Sequence, residues 1–276
     1  MSESAGSFSR LRVVRDGPVA RVTLARPEVR NAFDEILIDS LTRAFLSFGD
    51  DRETRVVILE GEGATFCAGA DIEWMRRAGG FSKSENEADA ERMARMLRAL
   101  DECSKPVVAI VQGAAIGGGV GLVAASDVVV AADDAVFSLA EVKLGILPSV
   151  ISPFVLRAIG ARQARRYFLT GERFGAAEAR RIGLVHEVVP AADRNAAADA
   201  IVASLLTSAP DAVGVAKRLI GQVAGLTPDD AMPVTVRTIA ERRASDEAKE
   251  GLTAFLEKRP ASWAPKKTGS PKKAGH

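Results

Sequence analysis

The chain has 276 residues, of which 47% are apolar and 26% are charged, and its formal net charge is +1. This balance is typical of a globular protein with an apolar core. A net charge so close to zero excludes a global electrostatic field that attracts nucleic acid or an acidic membrane. The first ten residues lack an apolar signal core, and no stretch reaches the ~18 apolar residues of a membrane span. We therefore expect a cytoplasmic protein that does not bind membranes.

The two cysteines, Cys67 and Cys103, are too few for a disulfide framework, and their spacing matches no metal site. The two histidines lie far apart in the sequence, and no carboxylate–histidine cluster accompanies them. The sequence therefore predicts a reduced protein without a bound metal.

Short strands and helices alternate in the first part of the chain. Residues 11–24 read as a β-hairpin that turns at Asp16-Gly17-Pro18. Residues 34–48 predict a helix that Asp34 caps. The apolar stripe expected on this helix consists of Ile36, Leu37, Leu41, Phe45 and Phe48.

The same pattern then repeats. The segment RVVILEG predicts a buried strand that ends at Gly61, and KPVVAIVQG predicts a second one. Between them, residues 84–103 predict a charged helix whose inward residues are Met93, Met96, Leu97 and Leu100. A third strand, DVVVAA, and a short segment, AVFSLAE, follow. This alternation of strand, glycine turn and helix predicts a layered α/β fold of repeat-like units.

After Val189 the chain becomes rich in alanine and helical in pattern. Helices are predicted over 191–207, 211–224, 228–242 and 246–258. Their apolar stripes need a partner, so we expect residues 191–263 to pack on the core formed by residues 1–190 or on another subunit. The last residues, 264–276, combine lysine, proline and glycine and predict a disordered basic tail.

Two glycine-rich turns end the buried strands, and one of them contains GGGVG at 117–121. A helix that starts at Gly117 or Gly118 presents unpaired N–H groups and the positive end of its dipole, which can bind a phosphate or an oxyanion. The segment is not GxGxxG and lacks the Walker lysine, which disfavours a nucleotide site. Close helix–strand packing would also explain one or two of the glycines. The second turn, CAGAD, favours an oxyanion site, because one N–H from each turn could bind a single carbonyl oxygen.

Together with further blocks of sequence, these two turns resemble the crotonase (enoyl-CoA hydratase/isomerase) superfamily. The resemblance covers about residues 10–263. The blocks that carry the resemblance are FCAGADI, GGGVGL, SLAEVKLGILP, LTGERFGAAEARRIGLVHEVV and EGLTAFLEKR. The resemblance implies a spiral of ββα units with a C-terminal helical trimerisation region, assembled as a homotrimer or a dimer of trimers. It also implies an acyl-CoA substrate and no separate cofactor.

The resemblance assigns site residues position by position. The N–H groups of Ala70 and Gly118 would bind the thioester oxygen, and Glu141 would move a proton at Cα of the acyl group. Gly121 stands where hydratases of the family carry a first glutamate. The expected CoA contacts are Arg26 or Arg30, Ala32 in the same loop, the backbone of Ala68, Ala70, Asp71 and Ile72 around adenine, and Phe255 and Lys258, often in a neighbouring subunit.

The missing carboxylate leaves the reaction open. Glu141 could merely cap a turn, but burial among Leu139, Leu144 and Ile146 would raise its pKa toward neutrality, as a general acid/base requires. One carboxyl group suffices for the 1,3-proton shift of an enoyl-CoA isomerase. It suffices for a hydratase if one water supplies both hydroxyl and proton. A non-catalytic acyl-CoA-binding paralogue is the third alternative.

The segments SVISPFVLRAIG and EGLTAFLEKRPASW resemble bacterial methylglutaconyl-CoA hydratases. This resemblance suggests 3-methylglutaconyl-CoA, whose own carboxylate would help to position water in the space left by Gly121. Arg76 and Arg77 are candidates for binding that carboxylate, with a solvated surface role as the alternative. An animal enzyme of this kind also binds RNA through a lysine-rich helix. The helix at 34–48 here has one arginine and no lysine, so we do not expect nucleic-acid binding.

Three other reactive residues are expected to be structural. Cys67 has no partner histidine in a readable motif and is expected to be a small buried residue. His186 is expected to lie at a strand end, and Asp127 is expected to start a strand.

Overall fold

The structure, a computed structural model, describes residues 8–265. The predicted tail at 264–276 therefore lies outside the described residues except for its first two positions. The described residues form two compact units, unit 1 up to Ile201 and unit 2 from Val202 onward. The boundary falls inside a helix rather than at residues 190–191.

Unit 1 contains two β-sheets. The larger has the strand order β1-β2-β3-β4-β6-β9, in which β1 and β2 form an antiparallel hairpin and the other neighbours are parallel. The smaller has the order β5-β7-β8. The strands are β1 (Leu11–Asp16), β2 (Val19–Leu24), β3 (Val56–Gly61), β4 (Val107–Val111), β5 (Ala114–Ile116), β6 (Val128–Ala132), β7 (Val136–Ser138), β8 (Arg173–Gly175) and β9 (Glu187–Val189).

The predicted hairpin and buried strands are confirmed. Strands β1 and β2 pair from Leu11 with Leu24 to Asp16 with Val19. Every residue of β4 is buried, as expected for a parallel strand covered on both faces.

The helices are α1 (Glu35–Asp50), α2 (Ile72–Ala78), α3 (Lys83–Asp101), α4 (Gly118–Ala125), α5 (Ser152–Thr170), α6 (Ala176–Arg181), α7 (Arg194–Thr207), α8 (Pro210–Val223), α9 (Pro228–Ala244) and α10 (Asp246–Leu256). Short 3₁₀ turns cover Pro27–Val29 and Ala140–Leu144. The four helices predicted after Val189 are present as α7 to α10, with ends shifted by a few residues.

Helix α1 shows both the success and the limit of the predicted periodicity. The Asp34 side chain accepts a hydrogen bond from the N–H of Leu37 at 2.9 Å, which confirms the cap. Ile36, however, is 42% exposed, so its assignment to the apolar stripe is wrong. Ile38 is buried instead, because it lies next to Leu37 and Leu41 on the inner face.

Helix α3 packs its predicted inner face into the core. Met93, Met96 and Leu97 are buried, as is Leu100, which confirms the prediction. A capping box fixes its start: the N–H of Glu85 donates to the Ser82 hydroxyl, and the Glu85 carboxylate accepts from the N–H of Ser82.

Unit 2 consists of helical segments. The Glu247 carboxylate in α10 accepts the N–H groups of Asp211 and Ala212, each at 2.9 Å, and so satisfies the first turn of α8. Several large apolar side chains of α9 and α10 are exposed: Met232, Val236, Ile239, Leu252, Phe255 and Leu256. Their role in trimerisation stays a prediction.

Across residues 8–265, no single helix has both the length and the apolar character that crossing a bilayer requires. Among these described residues, the sharply bent pair of α7 and α8, taken together, reaches that threshold by length and composition.

Candidate active site

The candidate site lies where parallel strands of unit 1 end. The carboxyl ends of β2 and β3 lead into the loop at 25–34 and the segment that contains the CAGAD turn, while β4 leads into β5, which the GGGVG turn follows directly. Neighbouring parallel strands end at the same edge of a sheet, and this edge is where open α/β sheets bind ligands. The topology therefore gathers segments that are distant in the sequence.

The two glycine-rich turns lie side by side. The N–H of Cys67 donates to the carbonyl oxygen of Ala114 at 3.0 Å, and the N–H of Ile116 donates to that of Cys67 at 2.9 Å. Gly69 has φ +88°, and a Cβ atom there would lie 2.9 Å from the Ile116 carbonyl oxygen. Both its conformation and this close approach require glycine. The packing alternative considered for the GGGVG glycines accounts for Gly119, where a Cβ atom would lie 2.6 Å from the Cys67 carbonyl oxygen.

The backbone N–H groups of Ala70 and Gly118 differ from those of the adjacent residues in their accessibility and hydrogen bonding. Each of these residues is partly accessible between two buried ones. Neither N–H donates a hydrogen bond to the part of the chain that the structure describes. Two unused N–H donors in adjacent turns are what an oxyanion hole requires.

Glu141 lies against the start of α4. Gly117, which precedes α4, has φ +52° and ψ −116°. A Cβ atom on Gly117 would be 2.8 Å from Oε1 of Glu141, so the bare glycine Cα lets the carboxyl group approach. The other oxygen, Oε2, is buried and has no hydrogen-bond partner among the described residues. A carboxyl oxygen left unpaired costs stability, which points to a ligand or water as its partner.

Burial raises the pKa of Glu141, and only its own backbone N–H opposes this shift. The expected direction is therefore confirmed. The expected surroundings are partly wrong, however. Leu139 is buried, whereas Leu144 is 66% exposed and Ile146 is 54% exposed. Leu144 ends the 3₁₀ turn, Ile146 follows it, and both are exposed, so it is the apposition to Gly117 that encloses the carboxyl group.

The raised pKa predicts a pH-dependent stability difference between Glu141→Gln and the parent chain. The folded carboxyl group holds its proton more tightly than the unfolded one, so folding is penalised as the pH rises through the folded pKa. We expect the variant to melt at a higher temperature than the parent at pH 8. This difference should vanish below the ordinary pKa of glutamate, about 4.3. Melting curves between these limits measure it, and a difference that grows on acidification would contradict the assignment. Glu53→Gln, at an exposed position, is the control.

The structure corrects the expectation for Gly121. A Cβ atom there would lie 2.4 Å from Cγ2 and 3.1 Å from Cβ of Ile151, and 3.5 Å from Cδ2 of Leu97. The position that the missing glutamate would enter is thus filled by Ile151. The idea that Gly121 leaves space for a water is wrong.

The structure also separates Arg26 from Arg30. Arg26 is buried, and its Nη2 binds Oδ2 of Asp71 at 2.9 Å. Its Nη1 donates to the carbonyl oxygen of Ala32 at 2.5 Å and lies 3.3 Å from Oδ2 of Asp34. A guanidinium with three such partners is not free to bind CoA phosphates, so the assignment of Arg26 is wrong. Arg30 is exposed and stays the predicted phosphate contact.

The remaining residues expected around adenine are partly engaged within the protein. The N–H of Ala68 donates to the Arg30 carbonyl oxygen at 3.0 Å, and that of Asp71 donates to the Phe33 carbonyl oxygen at 2.8 Å. The Asp71 carbonyl oxygen in turn accepts the N–H of Met75 at 2.8 Å, so a backbone contact with adenine would fall to the carbonyl oxygen of Ala68. Ile72 is exposed at the start of α2.

Asp71 has a structural role that the sequence did not reveal. Its Oδ1 caps α2 by accepting the N–H groups of Glu73 and Trp74. Burial alone would raise the pKa of Asp71, but these N–H groups and Arg26 outweigh it and lower the pKa.

Asn31 is a second residue that sequence reasoning missed. It is buried, and its amide donates to the carbonyl oxygens of Glu62 and Thr65, which ties the 25–34 loop to the next turn.

Phe255 and Lys258 lie in unit 2, where Phe255 is 79% exposed and Lys258 is exposed. Their contact with CoA stays a prediction. Arg76 and Arg77 pair with carboxylates at the surface: Arg76 with Glu73 at 2.6 Å and Arg77 with Glu35 at 2.7 Å. These exposed pairs support the solvated surface role for both arginines.

The three residues expected to be structural are so. Burial raises the pKa of Cys67 to about 12, which makes its thiol a poor nucleophile. The N–H of Val129 donates to Nδ1 of His186 at 3.1 Å. The N–H of Val107 donates to Oδ2 of Asp127 at 2.7 Å.

Fold and site together define an α/β protein that presents paired N–H donors and a half-buried carboxyl group. Comparison with known proteins identifies the class. Residues 15–266 match the family described as Enoyl-CoA hydratase/isomerase. The chain is 32% identical to the short-chain-enoyl-CoA hydratase of Clostridium acetobutylicum, covering 89% of this chain and 94% of that protein. It is 34% identical to the carnitinyl-CoA dehydratase of Salmonella enteritidis, covering 95% and 99%, respectively.

Among solved structures, the crystal structure of an enoyl-CoA hydratase from Shewanella pealeana superposes with a TM-score of 0.90. The two chains share 39% identity, and the match covers 93% of this chain and 96% of the other. The chain therefore belongs to the enoyl-CoA hydratase/isomerase family and has the mixed α/β crotonase fold. It is an enzyme of that family.

Proposed function

We propose that this chain is a single-carboxylate enoyl-CoA hydratase that adds water across the 2,3 double bond of an acyl-CoA thioester. The observation that carries the proposal is the carboxyl group of Glu141. Glu141 is half-buried, its buried Oε2 has no partner among the described residues, and its carboxyl group lies at Gly117, directly before the free N–H of Gly118.

In the proposed reaction, the N–H groups of Ala70 and Gly118 bind the thioester oxygen. The Glu141 carboxylate takes a proton from water as the hydroxyl oxygen bonds to C3. The π electrons of the double bond move into the thioester and form an enolate, which the two N–H groups stabilise. Removal of one donor from such a pair costs about 3–4 kcal/mol.

Protonated Glu141 then gives its proton to C2, and the enolate electrons restore the thioester carbonyl. One water is added in total, and Glu141 returns to its carboxylate form. The reaction balances without a cofactor besides the CoA of the substrate. The raised pKa of Glu141 suits this exchange. Near neutral pH, its protonated and ionised forms are closer in free energy than those of an ordinary glutamate.

We propose 3-methylglutaconyl-CoA as the substrate. Support comes from the resemblance of residues 149–160 and 251–263 to bacterial hydratases of that thioester.

An enoyl-CoA isomerase is the second candidate, and the enclosure of Gly121 by Ile151 favours it. In that reaction Glu141 takes a proton from C2 of a 3-enoyl-CoA and returns it to C4, so no water needs a second carboxylate. A non-catalytic acyl-CoA-binding paralogue is less well supported, because keeping one carboxyl oxygen buried and unpaired costs stability without serving binding.

Turnover of 3-methylglutaconyl-CoA, crotonyl-CoA and a 3-enoyl-CoA by the purified chain, followed by mass spectrometry, separates these candidates. We expect a product heavier by one water from 3-methylglutaconyl-CoA, with kcat/KM at least about tenfold above that for crotonyl-CoA. A 2-enoyl product of unchanged mass from the 3-enoyl-CoA, without hydration, would identify an isomerase. Binding of all three thioesters without turnover would identify the paralogue.

A further inference from the structure

The contact between Gly121 and Ile151 has no role in the reaction as described. Gly121 is buried within α4, and its φ does not lie in the left-handed region, so its backbone conformation does not demand glycine. The demand is steric. A Cβ atom would come within 2.4 Å of Cγ2 of Ile151, closer than packed carbon atoms approach. Any side chain at 121 therefore requires Ile151 to move.

Ile151 is held firmly in place. It directly precedes α5, and it is 4% exposed. Its carbonyl oxygen accepts the N–H groups of Phe154 at 3.2 Å and Val155 at 3.1 Å, which start the helix. Its β-branched side chain has few allowed rotamers. The Cγ2 methyl group is thus a fixed part of the surface around α4.

Gly118 lies three residues before Gly121, so the two positions share one face of α4. Cβ atoms at two such positions would be about 5–6 Å apart. A Cβ atom on Gly118 would lie 2.8 Å from Cε of Met93 and 3.0 Å from Cε2 of Phe33. The nearest atoms around Gly121 are likewise carbons, from Ile151 and Leu97. We call this face, with Gly118, Gly121 and the side chains of Phe33, Met93, Leu97 and Ile151, the apolar face of α4.

Polar groups are costly on such a face. A carboxylate buried among carbon atoms loses its hydration without gaining hydrogen bonds. A water molecule there would lack the two to four polar partners that ordered waters need. The oxyanion donor at Gly118 therefore has an apolar wall on one side and Glu141 on the Gly117 side.

We propose that Ile151 is a specificity-determining residue: by filling the place of a side chain at 121, it keeps the apolar face of α4 closed to a second carboxylate. Water is then positioned by Glu141 and by polar groups of the acyl chain itself. The site selects acyl groups that carry such a polar group over simple alkyl enoyl chains. This inference rests on the proposed hydratase function.

The steric part is tested by melting temperatures of Gly121→Ala, Ile151→Ala and the double variant. Each single change should destabilise the protein, the first by a clash and the second by a cavity. The double variant should melt above the temperature that additivity predicts, because the new methyl group occupies the vacated space. Gly49→Ala is the matched control, since a Cβ atom there meets nothing within 4 Å. Additive effects, or a Gly121→Ala variant as stable as the control, would overturn the proposal.

The specificity part is tested by kcat/KM of Gly121→Glu/Ile151→Ala against Ile151→Ala and the parent. The new carboxylate offers water a second partner and repels an acyl carboxylate. We expect the crotonyl-CoA to 3-methylglutaconyl-CoA ratio to rise about tenfold or more in the double variant, but not in Ile151→Ala. If the parent hydrates both thioesters but the ratio is unchanged in the double variant, the specificity role of Ile151 is overturned and the proposed hydratase function is not. A parent chain that hydrates neither would overturn the proposed function, while the melting temperatures would still report the steric contact.

Discussion

Replacing Glu141 by glutamine is expected to lower kcat/KM for acyl-CoA turnover by 10²-fold to 10⁴-fold, the range for loss of a general acid/base. Glutamine keeps the size and shape of the side chain, so the apposition to Gly117 is retained. It cannot exchange a proton between water and C2. Because one carboxyl group serves both proton transfers in the proposed reaction, no second group compensates for its loss.

The expected loss is in kcat more than in KM, because the amide can still fill the site while the chemical step fails. The pH profile of the parent gives an independent readout. Its kcat/KM should fall on acidification with an apparent pKa above the ordinary glutamate value, since burial raises the pKa of Glu141. Glu53→Gln, at an exposed loop, should keep full activity. A Glu141→Gln variant with more than about a tenth of the parent activity would rule out this role.

Replacing Arg26 by methionine is expected to reduce the free energy of unfolding by about 3–5 kcal/mol, as when one member of a buried ion pair is removed. Asp71 would remain buried, with its side chain 10% exposed, without a cation, whereas Asp34, 7% exposed, would keep only Arg10. Methionine keeps much of the apolar stem, so the measured loss reflects the charge. Chemical denaturation curves of the two proteins provide the value.

Arg30→Gln is the matched control for Arg26, because the two residues lie four positions apart in one loop but differ in burial. We expect its stability to change by less than about 0.5 kcal/mol. Its KM for an acyl-CoA should rise about fivefold, which corresponds to about 1 kcal/mol for one exposed phosphate contact. An Arg26→Met protein that is as stable as the parent but has a raised KM would contradict this assignment, because Arg26 would then be the CoA contact.

The largest sequence-based errors concern contacts between distant residues. The positive charge of Arg26 beside an expected phosphate site suggested a ligand contact, but its guanidinium binds Asp71, which lies 45 residues away in the sequence. The glycine at 121 suggested empty space, but Ile151 fills it from the segment before α5. Neither partner follows from local pattern, because neither pair shares a helix face or a strand register.

The features that were predicted correctly are local or repeat along one element. The hairpin of β1 and β2 follows from turn chemistry at 16–18, and the start of α1 follows from the Asp34 side chain. The inner face of α3 follows from 3.6-residue spacing. Even here, the error at Ile36 shows that an apolar residue at a helix start does not by itself reveal which side meets the core.

The sequence by itself determined the order of elements and the two glycine turns, because short-range backbone chemistry decides both, while the resemblance to the crotonase family singled out Glu141. The tertiary structure alone decided that Arg26 serves the fold, that Ile151 closes the space at Gly121 and that the Glu141 carboxyl group lies against Gly117. These features depend on which strand ends lie at one sheet edge and on which side chain occupies a given place in the packed structure. Burial and steric exclusion are properties of that assembled packing, and neither exists along the chain before it folds.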